Sequence, residues 1–134
     1  MPKLGRNPTT RNRVAALPLI LGIAAAVLAP PAHASDAVTY EVVSERISMM
    51  NVEFVDQTGR KLLESVPLPW RLDVTLNDAK GPTGRGAQVR ADWRPTARPS
   101  LWVIVRIYSD GQLLCQTTLD VGNATCYGNT PHVA

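Results

Sequence analysis

Histidine is scarce in this chain: there are two in 134 residues, His33 and His132. Beyond residue 34 only His132 remains, close to the C-terminal end, where chains fray. A serine, threonine or cysteine nucleophile needs a positioned base, and the pattern offers none. Cysteine is equally rare, with Cys115 and Cys126 alone, too few beside one histidine for a metal-ligand set. Acidic residues are missing from the first 35 positions. Gly81, Gly84 and Gly86 lack the strand-to-helix setting of a phosphate loop. Asp73 and Asp78 fall on an alternating segment and at a loop edge, where carboxylates are solvated. The expectation is a chain without catalytic residues, metal or cofactor.

What the first 35 positions do contain is ordered. Lys3, Arg6, Arg11 and Arg13 form a basic start, and Val14 to Leu28 runs fifteen residues without a charge. Ala29-Pro30-Pro31 breaks the run. Ala32-His33-Ala34 supplies the small-x-small pattern cut before Ser35. This is the order of a secretory signal peptide over residues 1–34. Fifteen helical residues reach about 22 Å, short of a hydrocarbon core of about 30 Å, and Pro18 interrupts them. A retained anchor is the competing reading. No cysteine stands at the cut to carry a lipid anchor.

Cleavage leaves residues 35–134, enough for one domain with one core. It also reverses the charge. The whole chain counts +3, with fourteen Lys and Arg against eleven Asp and Glu. Four of the basic residues lie in the leader and none of the acidic ones, so the remainder is 10 − 11 = −1. That balance carries no footprint for nucleic acid. Residues 71–106 still hold seven basic residues against three acidic ones. They are either the solvated outer faces of strands or a basic face toward an acidic partner or lipid head group. In an exported chain, two cysteines read as a Cys115–Cys126 disulfide. Closing that loop is worth about 3 kcal/mol on the chain-entropy model.

The segment after the leader reads as β throughout. Val38 to Val43, Met49 to Val55 and Lys61 to Val66 are strand-like, with Asp56-Gln57-Thr58-Gly59 as a turn. Leu72, Val74 and Leu76 alternate with polar residues, as do Val89, Ala91 and Trp93. Residues 79–86 are a glycine-rich loop. Arg94 to Pro99 is a connection, because its two prolines lack donors. Leu101 to Tyr108 is apolar on both faces, which places it centrally and covered on each side. Asp110-Gly111 is a hairpin turn, Gln112 to Leu119 returns, and Ala124 to Tyr127 closes. Asn123-Ala124-Thr125, a glycosylation triplet, reads as a turn. Such spacing predicts an all-β domain: a single antiparallel β-sandwich, immunoglobulin-like, of about seven strands. The cysteines stand too close in sequence for the inter-sheet bridge of antibody domains, so the bridge should pin the tail to the last hairpin strand.

Several of these segments resemble the MmpS family, small mycobacterial cell-envelope proteins that accompany MmpL exporters of lipids and siderophores. The resemblance rests on Val38-Thr39-Tyr40-Glu41-Val42, on Val52-Glu53-Phe54-Val55-Asp56 with its Gly59 turn, and on Leu68-Pro69-Trp70. It continues through Asp110-Gly111 to Asn123-Ala124-Thr125-Cys126. It implies a transport accessory of the envelope, with an MmpL-type transporter or an envelope lipid as partner. The chain departs from the family in its cleavable leader and in the Arg94 to Pro99 connection. The family's first cysteine precedes the Asp-Gly turn, whereas Cys115 follows it.

For contacts, Trp70, Arg71, Arg94, Arg98 and Trp102 are the candidate surface. Trp70 beside Arg71 has the composition of an interface anchor. Trp102, on the second face of its strand with Tyr108, could shape an apolar groove for an acyl chain. The connection from Arg94 to Pro99 could project as an adhesive or inhibitory loop. The alternative function is a soluble secreted carrier of a lipid or other apolar ligand.

Overall fold

Period-two alternation of apolar and polar residues builds nearly every element of the computed structural model, which describes residues 34–134. Residues 1–33, which hold all of the expected signal peptide but Ala34 and include Ala32 of the cleavage pattern, lie outside the described residues. Ala34 and Ser35 are exposed, just ahead of the first strand. Nine strands follow: β1 (Asp36–Val43), β2 (Met49–Asp56), β3 (Gly59–Pro67), β4 (Trp70–Leu76), β5 (Gln88–Asp92), β6 (Val103–Ser109), β7 (Gln112–Leu119), β8 (Asn123–Tyr127) and β9 (His132–Val133). One 3₁₀ turn, Arg94–Thr96, sits between β5 and β6. Among the described residues there is no α-helix, and no helix long and apolar enough to cross a membrane.

The strands form two sheets, one ordered β4-β1-β6-β7-β9 and the other β3-β2-β5-β8. All pairings are antiparallel except that of β7 with β9. The five-stranded sheet turns Val38, Tyr40, Val42, Val103, Val105 and Ile107 inward. The four-stranded sheet answers with Val52, Phe54, Val89 and Ala91, and all of these are buried. The two sheets therefore share one core, and the fold is an all-β sandwich. Trp93, just past β5, and Tyr40 are the largest wholly buried side chains. Asp110 and Gly111 both adopt positive φ, +50° and +83°. That is the backbone a two-residue hairpin turn needs to match strand twist.

Tyr40 ties one sheet to the other. Its hydroxyl donates to the Val55 carbonyl at 2.7 Å and accepts from the Gln88 N–H at 3.2 Å. Those two groups lie one step beyond Phe54 and Val89, the last paired residues between β2 and β5. The phenol thus satisfies a donor and an acceptor where the ladder opens, which buried backbone groups require. Burial dominates its ionisation and pushes the phenol up to about 12, because a phenolate there would lose its hydration.

Several expectations are corrected. Nine strands replace about seven, chiefly because the chain end is a strand: His132 pairs with Cys115, and Val133 with Gln116. Cys115 and Cys126 are bonded as expected, and the bridge does pin the tail to the last hairpin strand. Those two strands, however, lie in different sheets, so the bond crosses the core. Short sequence spacing concealed this, because β7 and β8 connect directly around one side of the sandwich. β6 is central in its sheet, but its outer face is only half covered, and Trp102 is 51 % exposed. Asn123-Ala124-Thr125 belongs to β8 rather than to a turn.

Candidate functional site

The outward face of the five-stranded sheet carries a charged row and an apolar groove. In the row, Arg71, Glu41, Arg106, Gln116 and Val133 stand opposite one another across β4, β1, β6, β7 and β9. Arg71 donates to Glu41 Oε2 at 3.0 Å, and Arg106 donates to Oε1 at 2.8 Å. Arg106 Nε also donates to Gln116 Oε1 at 2.7 Å. The Arg71 guanidinium stands 5.8 Å from the centre of the Tyr108 ring. One carboxylate thus organises two guanidinium groups and fixes the outer surface of the sheet centre.

The groove opens where β1 and β6 leave this row. Alternation turns Val43 and Ile104 outward as direct partners, and Trp102 follows on the same face just before β6. With Ser44, Glu45, Arg46 and Ser100 they line a hollow of about 360 Å³. Its wall is held in place. Ser44 Oγ donates to the Trp102 carbonyl at 2.8 Å and accepts from the N–H groups of Arg46 and Ile47. Ile47 is itself buried, so the turn after β1 is nailed to the core. Ser100 N–H donates to Asp120 at 2.8 Å and steadies the far side. An apolar floor, an indole and a rim carrying one carboxylate and one guanidinium can receive an apolar or amphipathic group, and the volume falls in the range of small-molecule sites. A larger hollow, about 540 Å³, lies at the other end of the sandwich and is lined by Asp56, Asp78, Arg85 and the glycine-rich loop. There Asp56 is held below the usual carboxylate range, first by hydrogen bonds from Thr58.

The five residues singled out for contact do not form one surface. Trp102 lines the groove. Arg71 lies on the same outer sheet face, but in the charged row. Trp70 points the other way, as strand alternation requires: it is half-buried on the inner face, with its ring 5.7 Å from that of Phe54. The anchor expected from Trp70 beside Arg71 is therefore split between two faces. Arg94 is exposed in the 3₁₀ turn and bonded to Asp92 at 2.6 Å. That contact holds the Asp92 carboxyl low and raises the guanidinium. Arg98 is exposed further along the connection. This connection does not project freely. Trp93 is buried at its start, Trp93 N–H donates to the Gly122 carbonyl, and Ala97 packs on the core.

The basic residues of 71–106 are likewise dispersed. Arg71 and Arg106 share Glu41 on one sheet, while Arg90 and Arg94 face Asp92 on the other. Lys80 and Arg85 lie in the glycine-rich loop. The four arginines of the two pairs thus match solvated, paired outer faces, and Lys80 and Arg85 are exposed loop residues. Sequence reading missed the neighbours that shape the groove, above all Ser44, whose role needs the fold to bring it to Trp102. It also placed His132 in a frayed end, whereas its ring lies 3.2 Å from the Thr117 hydroxyl. Among the described residues no three His, Cys, Asp or Glu side chains are grouped to hold a metal ion. Comparison with known families finds no family model that matches this chain, and comparison with curated proteins finds no match.

Proposed function

We propose that this chain is an exported, non-enzymatic protein of the cell envelope that works by contact, in the transport-accessory role its resemblance to the MmpS family implies. Its partner in this reading is an MmpL-type transporter or an envelope lipid. The observation that carries the reading is Trp102: an indole 51 % exposed over a groove whose wall is fixed from the core by Ser44 and Ile47. Large exposed aromatics held rigidly are what contact surfaces are built from. The buried Cys115–Cys126 bond supports an oxidising compartment. Capture from membranes in mild detergent tests the proposal. The native protein should recover an MmpL-type transporter, and Trp102→Ala should lose it while keeping its thermal transition. Recovery of no transporter, or equal recovery by Trp102→Ala, overturns it.

The groove's volume favours one second reading, a secreted carrier of a small apolar ligand. The inner faces of the sheets are filled by Tyr40, Trp93, Val105 and Ile107, so any ligand must sit outside, beside Trp102. Mass spectrometry of organic extracts from the native protein distinguishes this case: a bound apolar molecule supports it and a clean extract rejects it.

A further inference from the structure

We propose that the free edge of β4 pairs with the β4 edge of a second copy of this chain, making a two-fold symmetric dimer with one continuous sheet. The four sheet edges differ in how they are guarded. β3 carries Pro67, an irregular register against β2, and Ser65 at a φ of +54°. β8 is five residues long between Gly122 and Gly128, and the Thr117 hydroxyl reaches its Thr125 carbonyl. The fourth edge is β9, only two residues long, which pairs with Cys115 and Gln116 of β7. β4 has seven residues, no proline, no glycine, no lysine and an unbroken register with β1. No backbone hydrogen bond reaches its outer edge among the described residues. Such a strand is a template for another.

Its side chains specify the partner. Trp70, Leu72 and Val74 are half-buried on the inner face, and Arg71, Asp73 and Thr75 are exposed on the outer one. Antiparallel pairing centred on Leu72 sets Arg71 against Asp73 of the second copy, and Asp73 against its Arg71. The same register sets Trp70 against Val74, and Leu72 against Leu72, which covers the apolar surface left open at the edge. Centring on Arg71 or Asp73 instead would oppose like charges, which disfavours a cross-strand pair. The patch is complementary to itself, as a two-fold interface demands. Trp70 and Arg71, split between two faces of one copy, then serve a single interface.

Sedimentation of the native protein as its host exports it, over a range of concentrations, tests this. The wild type should show a concentration-dependent monomer–dimer equilibrium. Asp73→Arg should weaken dimerisation by about tenfold or more, since two favourable cross-strand pairs become repulsive. A spin label on Thr75→Cys gives a readout that leaves both charges in place. In this register the two labelled positions stand about 20 Å apart along the strand axis, and dipolar coupling should appear with the dimer. A wild type that stays monomeric, an Asp73→Arg variant that dimerises normally, or a labelled dimer without coupling each overturns the proposal.

Discussion

The two sides of this sandwich are closed by different physics. On the β7–β8 side, Cys115 and Cys126 join the sheets covalently through the core, the Thr117 hydroxyl reaches β8, and β9 pairs with Cys115 and Gln116 on the outer edge of β7. On the β3–β4 side the chain passes from one sheet to the other through Leu68-Pro69 with no cross-link: Trp70 leans on Phe54 at 5.7 Å, and the β4 edge is left with apolar residues half covered. One side spends its residues on permanence and the other keeps surface available. The proposed contact role would draw on that division, with a locked side holding the shape while the open side presents it.

The largest expected effect comes from unlocking the closed side. Replacing Cys115 and Cys126 together by alanine should cost about 3 kcal/mol. In a domain of this size that lowers the thermal midpoint by about 15 °C, read by circular dichroism. If the midpoint hardly moves, the closed side is held by packing rather than by the bond.

Next is Tyr40, between the two sides. Tyr40→Phe leaves the Gln88 N–H and the Val55 carbonyl without their partner, which should cost about 2 kcal/mol. The pH dependence has a definite sign. The phenol is raised from 10.0 to about 12 in the folded protein, so its contribution is fully present below pH 10. It is lost as pH rises from 10 toward 12, where the unfolded state releases the proton and the folded state holds it. Denaturant unfolding across that range should show an alkaline loss in wild type that Tyr40→Phe lacks.

Trp70→Ala, on the open side, should cost less, about 1–2 kcal/mol, because the indole is only half-buried and much of its surface remains in water. A loss as large as that of the cysteine pair would show that the open side is as essential to the fold as the closed one.

Much of this architecture was legible in the sequence. Leu72, Val74 and Leu76, or Val89, Ala91 and Trp93, announce their strands because one face must be buried and the period is two. Asp110-Gly111 announces its turn because two positive φ values are cheap there. The bond between Cys115 and Cys126 followed from their number. What sequence did not disclose is what depends on three-dimensional neighbours. That the bond spans two sheets depends on how β7 and β8 connect. The opposed directions of Trp70 and Arg71 were implicit in alternation, but adjacency in the chain suggested a pair. His132-Val133 is too short to show any period, and it becomes a strand only because β7 offers an edge. The groove needs Ser44, in the turn after β1, brought beside Trp102 and Ile104 at the start of β6, which no local pattern encodes.

Amide hydrogen exchange of the native oxidised protein, followed at low and high protein concentration, tests the division between the two sides most directly. Peptides from β7 and β8 should be strongly protected at both concentrations. Peptides covering β4 should exchange faster in dilute protein and gain protection as concentration rises. Equal protection of β4 and β8 in dilute protein, or β4 exchange indifferent to concentration, would contradict a locked side facing an open one.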